Sequence, residues 1–220
     1  AFSFNYFKII SAGEGGALVT NDRTVYERAL VYHDGGAAFR PYARELSIRV
    51  FAGSQYRVSE ITGAILRIQL RRLDGILADL RKVKKIFSEE LSKISGLRLL
   101  LSNDPEGDCA TTIGLIFDNE ELARKFAASH ETKGWLPIDS GKHVYSNWDP
   151  ILNKRGAHHP LIDPFNHPAN KELNMNYSKN MCPKTTEILS KTVLISLDPD
   201  WTEDEIGKRI ENCRKAAKSL

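Results

Sequence analysis

The sequence predicts an α/β protein that consists of two successive parts. Short apolar runs alternate with helical patterns along the 220 residues, and 41% of the residues are hydrophobic, which is enough to bury a sizeable core. A strong helical pattern over residues 59–95 follows a strand-turn-strand-helix unit and precedes a second group of strands and helices. We therefore expect one part over residues 1–75, and a linking helix with a smaller α/β domain over residues 76–220.

The first part begins with an apolar strand and a glycine-rich turn. The run "AFSFN" is typical of a buried strand, "SAGEGG" of a turn and "ALVT" of a second strand. Thr24 and Glu27 have the spacing of a capping box for the helix "VYERALVYH". A buried strand needs neighbouring strands on both edges. We therefore expect a substantial N-terminal part of the protein to precede this first strand.

A long segment without sustained periodicity comes next. It reads "DGGAAFRPYARELSIRVFAGSQYR", and ordered segments of this length in compact domains are often functional. From Ser59 the apolar positions recur in steps of three and four, and Gly96 supplies a stop signal. A helix of that extent measures about 55 Å at ~1.5 Å per residue, and Gly75 is its predicted bend.

The second part is predicted to contain three strands and two further helices. The strands are "LRLLL", "TTIGLIF" and "KTVLISL", and the first helix is "NEELARKFAASH". The last helix lies in "DWTEDEIGKRIENCRKAAKSL", where Thr202 and Glu205 form a second candidate capping box.

Composition and cysteine spacing limit the class of protein. Thirty-one Lys and Arg against 28 Asp and Glu give a net charge of +3, which is too weak to indicate nucleic-acid binding. No run approaches the ~20 apolar residues of a membrane span, and the first residues lack the order of a signal peptide. Cys109, Cys182 and Cys213 are odd in number and widely spaced, which predicts reduced thiols. We expect a soluble, cytoplasmic protein that binds neither nucleic acid nor membrane.

Two other groups of residues have competing interpretations. Several histidines and a cysteine in the second part suggest zinc, but their spacing matches no ligand pattern and we expect no metal site; they are His143, His158, His159, His167 and Cys182. Residues 67–85 carry seven basic side chains, which either bind a partner or form a solvated face. The regular apolar stripe of the same stretch and its lack of interleaved aromatic residues favour the solvated face.

Lys8 is the candidate catalytic residue. The runs "FSFNYF" before it and "II" after it disfavour a charged ammonium and favour the neutral amine, which is a nucleophile. Such an amine forms a Schiff base with a carbonyl, the link that holds pyridoxal phosphate. The glycines of the following turn allow a backbone to lie beside a planar cofactor, and Ser3 offers a hydroxyl to a phosphate. The alternative is a plain lysine at a strand end.

The segment "SFNYFKIISAGEGGALVTND" resembles the cofactor-lysine segment of the DegT/DnrJ/EryC1/StrS aminotransferases, which are sugar aminotransferases of fold type I. The segments "GSQYRVSEITGAILRIQLRRLD" and "KTVLISLDPDWTEDEIGKRIENC" also resemble parts of that family. The resemblance implies the C-terminal part of a fold type I large domain, with the cofactor lysine, followed by a smaller α/β C-terminal domain. It implies pyridoxal 5′-phosphate as the cofactor and Lys8 as the Schiff-base lysine.

The resemblance also assigns roles to four other residues. Ser3 falls on a serine that contacts the cofactor phosphate, and Gln55 falls where the family commonly has an asparagine that reaches the phosphate from the neighbouring subunit. Tyr56 and Arg57 match the next family positions and are candidates for substrate binding. Arg57 binds a carboxylate or a phosphate in this interpretation, and a structural ion pair is the alternative.

The function implied is transfer of an amino group from an amino acid, with glutamate as the expected donor, to a keto sugar or keto sugar acid. Family members that eliminate a hydroxyl group have histidine in place of the lysine, so Lys8 favours transamination. A homodimer with shared active sites is implied as well. The alternative function is a catalytically silent α/β module that binds a partner through the basic helix 67–85.

Overall fold

The computed structural model describes residues 1–37 and 39–220. The chain divides into two compact units, Ala1–Ile76 and Leu77–Leu220. Both units combine helices with antiparallel strands, which confirms the predicted α/β class.

The first unit opens with a short antiparallel hairpin. Strands β1 (Phe2–Ser3) and β2 (Gly16–Ala17) pair so that Phe2 lies opposite Ala17 and Ser3 opposite Gly16. The sequence predicted a buried strand, but both strands are exposed, and Phe2 retains 61% of its accessible surface. The difference arises because β1 has β2 as its one strand partner among the described residues, and no layer of the first unit covers its outer side chains.

Helix α1 (Arg23–His33) begins at a different cap from the predicted one. Asp22 is the N-cap, and its Oδ1 accepts hydrogen bonds from the backbone N–H groups of Thr24 (2.8 Å) and Val25 (3.0 Å). The predicted pair of Thr24 and Glu27 is therefore wrong. Asp22 already binds the free N–H groups of the first turn, and Glu27 faces inward with 1% of its surface exposed.

The long helix α2 (Glu60–Leu91) is continuous through Gly75 and contributes residues to both units. It begins after Ser59, whose hydroxyl accepts from the Thr62 N–H at 3.1 Å. The apolar residues that α2 buries all lie in its second half; they are Leu80, Val83, Phe87 and Leu91. In its first half, by contrast, Ile61, Ile65 and Ile68 form an exposed stripe.

The second unit is built on a four-stranded antiparallel sheet with the strand order β3-β4-β6-β5. Its strands are β3 (Arg98–Leu99), β4 (Thr112–Ile116), β5 (Gly134–Trp135) and β6 (Thr192–Ser196). Three of them were predicted. The fourth, β5, is two residues long, and a pair of residues is too short to display an alternating pattern.

In the described chain, the second unit also has four helices of its own, of which three bury residues. They are α3 (Glu120–Ala128), α4 (Asp149–Leu152), α5 (Pro183–Ser190) and α6 (Glu203–Lys218). The predicted capping box of α6 is confirmed: the Glu205 N–H donates to the Thr202 hydroxyl, and the Thr202 N–H donates to the Glu205 carboxylate at 2.8 Å. Most of residues 137–182 is irregular, with six short helical turns.

Candidate active site

Lys8 lies in the loop that joins β1 to β2. The chain turns at Asn5, whose carbonyl accepts from the Lys8 N–H at 3.0 Å and whose Oδ1 accepts from the Phe7 N–H at 3.2 Å. Lys8 is exposed, and its ammonium makes no hydrogen bond or ion pair to any residue that the structure describes.

The environment of Lys8 differs from the one the sequence predicted. Its apolar flanks indicated burial, but Tyr6 and Phe7 each retain 67% of their surface, so they do not remove the Lys8 amine from water. Residues 6 and 7 lie in a turn outside β1, so the strand alternation that would bury one face does not extend to them.

Close backbone packing holds the loop that carries Lys8. The Phe4 N–H donates to the Gly15 carbonyl, and the Ala12 N–H donates to the Phe4 carbonyl, at 2.9 and 3.1 Å. Gly13 has φ +84°, a conformation that favours glycine, and a Cβ on Gly16 would lie 3.0 Å from the Phe2 carbonyl oxygen. The predicted glycine turn is thus present, with Ser3 exposed on the strand beside it.

The predicted residues Gln55, Tyr56 and Arg57 lie together next to the end of α1. The Ser54 N–H donates to the Tyr32 carbonyl, and the Tyr56 N–H donates to the His33 carbonyl, at 2.8 and 2.9 Å. Gly53 makes this approach feasible, because a Cβ there would lie 2.3 Å from the Tyr32 carbonyl oxygen. The backbones of Gln55 and Asp34 form an isolated antiparallel β-bridge.

The side chains of these three residues differ in the partners they have within the protein. The Gln55 Oε1 accepts from the Arg57 N–H at 3.1 Å, which leaves the amide nitrogen without a partner among the described residues. Tyr56 is exposed and stacks on Tyr32, with ring centroids 5.9 Å apart. The Arg57 Nη1 donates to Asp34, as the ion-pair alternative for this residue requires.

Asp34 is the centre of a hydrogen-bonded cluster that the sequence did not reveal. Its carboxylate accepts from the Arg40 Nε (2.7 Å) and Nη2 (3.0 Å), from the Tyr42 hydroxyl (2.8 Å) and from Arg57. The Arg40 guanidinium, followed by the Tyr42 hydroxyl, holds the pKa of Asp34 well below its usual range. Burial and the hydrogen bond to Asp34 raise the pKa of Tyr42, so this phenol stays neutral.

Glu27 holds the middle of the same irregular segment. Its buried carboxylate accepts from the Arg23 Nε (2.7 Å), the Ser47 N–H (3.0 Å) and the Ser47 hydroxyl (2.5 Å). The hydroxyl of Ser47 is the leading cause that lowers the pKa of Glu27. Together, Glu27 and Asp34 tie the irregular segment to α1 at two points, and so fix where residues 55–57 lie.

A cavity of about 500 Å³ connects the hairpin to this segment. Gly15 and Gly16 line it from the hairpin, Tyr26 from α1 and Tyr56 from the irregular segment. Its lining is mostly apolar and aromatic, which suits a flat organic group better than an ion.

The thiols and histidines of the described chain are not grouped as metal ligands. The three cysteines are free, and within residues 1–37 and 39–220 no three His, Cys, Asp or Glu side chains are grouped so that they could hold a metal ion. In the same residues, none of the helices has the length and apolar character needed to cross a bilayer.

A comparison with known protein families identifies the class to which the chain belongs. A sequence profile of the DegT/DnrJ/EryC1/StrS aminotransferase family matches residues 1–132. The chain is a member of that family, as its sequence predicted.

Comparisons with individual proteins support this assignment over different lengths. The chain is 34% identical over 94 residues to GDP-perosamine synthase of Escherichia coli O157:H7, which is 42% of this chain and 24% of that relative. It resembles the aminotransferase TlmJ from Streptoalloteichus hindustanus with a TM-score of 0.68 and 17% identity, over 99% of this chain and 51% of the other. For E. coli GDP-4-keto-6-deoxy-D-mannose-3-dehydratase with bound hydrated PLP, the TM-score is 0.65 at 20% identity, over 96% of this chain and 53% of the other.

The chain therefore spans about a quarter of the length of its curated relatives and about half of the solved chains. At these identities, the structural likeness establishes the fold, which confirms the predicted fold type I class.

Proposed function

We propose that the protein is an aminotransferase that depends on pyridoxal 5′-phosphate. It moves an amino group from an amino acid, glutamate in our proposal, to a keto sugar or keto sugar acid. The observation that carries the proposal is Lys8 itself: it is the single lysine of the first 76 residues, its segment resembles the family's cofactor-lysine segment, and its amine is free of protein partners in the described chain.

The residues around Lys8 fit the proposed cofactor. The amine is available for attachment, and the exposed Ser3 hydroxyl on the neighbouring strand is a donor for a phosphate. Gly13 and Gly16 keep side chains away from the loop beside the lysine. When bound, the cofactor supplies an electron-withdrawing ring that stabilises negative charge on the donor's α carbon.

In this proposal, Lys8 has two tasks. Its Nζ would hold the cofactor, and once the donor amine has displaced it, the same Nζ would be free to act as a base. It would then accept the proton of the donor's α carbon and hold it for return. Tyr56 and Arg57 bind the substrates, through an aromatic face and a guanidinium respectively.

The comparison with a dehydratase makes hydroxyl elimination the second candidate reaction for this fold. Lys8 is the feature that favours amine transfer, because the eliminating members have histidine at this position. The catalytically silent module is not favoured either, since two cations of the basic helix are bound within the second unit. The Arg81 Nε donates to the Asp108 carbonyl at 3.0 Å, and the Lys84 Nζ donates to the Asp108 carboxylate at 2.5 Å.

Substitution of Lys8 tests the proposal. Lys8→Ala should abolish amine transfer from glutamate to a pool of keto sugars, and the borohydride-fixed cofactor mass found on Lys8 of the wild type should disappear. Lys171→Ala, at an exposed lysine of the second unit, is the matched control and should keep both signals. A loss of turnover smaller than about tenfold, or 1.4 kcal/mol, would contradict an obligatory proton carrier.

We also propose the wider organisation that the family implies. Residues 1–75 would belong to the large cofactor domain, and residues 76–220 would form the linking helix and the small domain. A symmetric homodimer would let Gln55 serve the partner's phosphate site. Light scattering should give twice the protomer mass, and a fully active monomer would remove the shared-site role of Gln55. The three free thiols favour the cytoplasm as the location.

A further inference from the structure

One carboxylate in the first unit holds two arginines. Arg40 binds Asp34 with two nitrogens, at 2.7 Å to Oδ2 and 3.0 Å to Oδ1, and Arg57 binds the same Oδ1 through Nη1. Since both guanidinium groups reach one oxygen atom, their bonded nitrogens lie within about 6 Å of each other. The side chain of Asp34 is only 5% exposed, whereas those of Arg40 and Arg57 are 45% and 46% exposed.

The charges of this cluster do not balance. Two guanidinium cations meet one carboxylate, and the phenol of Tyr42 stays neutral, so one positive charge remains. The other acids of the surrounding segment do not supply the missing charge. Glu27 binds Arg23 and Ser47 instead, and Glu45 contacts neither arginine of the cluster in the described residues.

Both arginines also have N–H donors that bind no residue in the described part of the chain. The Nη1 of Arg40 and the Nε and Nη2 of Arg57 have no partner among the residues that the structure describes. Because the buried carboxylate already fixes both side chains, a ligand need not bear the entropic cost of ordering two long flexible groups. A free surface arginine lacks this preorganisation.

We propose that Arg40 and Arg57 together bind an oxyanion, a carboxylate or a phosphate group of a substrate, and that Asp34 positions them for it. Arg40 is thereby a further binding residue beside the predicted Arg57. The shared chemistry is a group with two or more acceptor oxygens, which guanidinium groups bind with charge-assisted hydrogen bonds. The site deepens the proposed function, on which the identity of the anion as part of a substrate rests.

Anion titration tests the site without cofactor or turnover. Sodium phosphate and sodium glutamate are titrated separately into the protein at constant ionic strength, with sodium chloride as the reference, and binding is followed by calorimetry. We expect one of the two anions to bind more tightly than chloride, and Arg40→Gln and Arg57→Gln each to weaken that binding about tenfold. Preference for phosphate assigns the site to a phosphorylated group, and preference for glutamate assigns it to a carboxylate.

Matched variants separate a specific site from general positive charge. Arg49→Gln removes an arginine from the same segment, where it contacts no described side chain, and should leave binding unchanged. Arg40→Lys keeps a positive charge beside Asp34 but removes the planar guanidinium group with its fixed pair of donors. It should therefore weaken anion binding, whereas Arg49→Lys should not. This pair decides the question if Arg40→Gln fails to fold, as a thermal melt would show.

Two results would overturn the site: neither anion binding better than chloride, or Arg49 variants losing as much as the Arg40 variants. Failure of the proposed function is a different result, because it is the absence of borohydride-fixed cofactor on Lys8. The anion site stands or falls independently of that measurement.

Discussion

At the scale of single residues, Asp34 makes the stability of the first unit depend on pH. Arg40, Tyr42 and Arg57 donate hydrogen bonds to its carboxylate and hold its pKa below the usual range in the folded protein. The unfolded carboxyl titrates at about 3.9, so the stabilising effect of the charge is complete above that pH and declines as the pH falls below it.

We expect Asp34→Asn to lower the stability of the first unit at pH 7. The difference between this variant and the wild type should shrink as the pH is lowered from about 4, because acid neutralises the wild-type carboxylate too. Urea unfolding at several pH values measures this. Asp74→Asn, at an exposed carboxylate of the same unit with no described partner, is the control and should change stability by less than about 0.5 kcal/mol. A difference that grows on acidification would contradict this account of Asp34.

The sequence revealed some of the candidate site and concealed the rest. Lys8 and its glycine turn are adjacent along the chain, and so they form a recognisable local pattern. Asp34 and Arg57 are 23 residues apart, and Glu27 and Ser47 are 20 apart. No local periodicity connects such pairs, because their contact depends on the path of an irregular segment. Gly53 was the available signal, since an isolated glycine in an extended stretch often marks a close backbone approach.

At the scale of elements, the two predicted capping boxes had opposite outcomes. Thr202 and Glu205 bind each other's backbone groups as predicted, whereas Asp22 displaces Thr24 as the cap of α1. Both Asp and Thr cap helices, but the carboxylate of Asp22 accepts two N–H groups and also carries a negative charge at the helix N-terminus. An acceptor such as Asp22, two residues before Thr24, can therefore take the N-cap position that residue spacing alone assigns to a capping box.

The capping box of α6 should contribute measurably to the second unit. Thr202→Ala removes the hydroxyl that accepts from the Glu205 N–H, and we expect a loss of about 1 kcal/mol in the free energy of unfolding. Thr185→Ala, in the first turn of α5 with an exposed side chain, is the same chemical change outside a cap. It should alter stability by less than about 0.5 kcal/mol in chemical denaturation. Equal losses in the two variants would show that the box adds nothing.

At the scale of the whole molecule, the three thiols differ in their access to reagents. Cys109 is exposed, Cys182 is half-buried and Cys213 is buried. Burial raises the pKa of the Cys213 thiol to about 11, so only a small fraction of Cys213 is thiolate at neutral pH.

We expect a maleimide reagent to modify Cys109 first, Cys182 more slowly and Cys213 only after denaturation. Mass spectrometry of timed samples counts the modified thiols, and peptide mapping locates them. All three should react in concentrated guanidinium chloride, which is the control for the reagent. Modification of the native Cys213 at the rate of Cys109 would contradict the packing of α6 against the second unit.

The fold was predictable where patterns were long. The 32 residues of α2 and the five-residue strands β4 and β6 are apolar at regular intervals, and all three were found from their sequence. Much of the stretch between α3 and α5 forms isolated turns, and β5 gains its place by pairing with β6 instead of by its own sequence. Tertiary contacts decided these parts, which single-sequence patterns do not record.

The strand order of the second unit also determines when its sheet can form during synthesis. β4 and β6 are neighbours in the sheet, yet Ile116 pairs with Thr192, 76 residues later. A ribosome that adds ~5–20 residues per second needs about 4–15 s to make that stretch. During this interval, the apolar residues Ile113 and Leu115 of β4 have emerged without their main partner strand. The nascent chain is then open to chaperones and to self-association, and the risk ends when Ser196 leaves the exit tunnel.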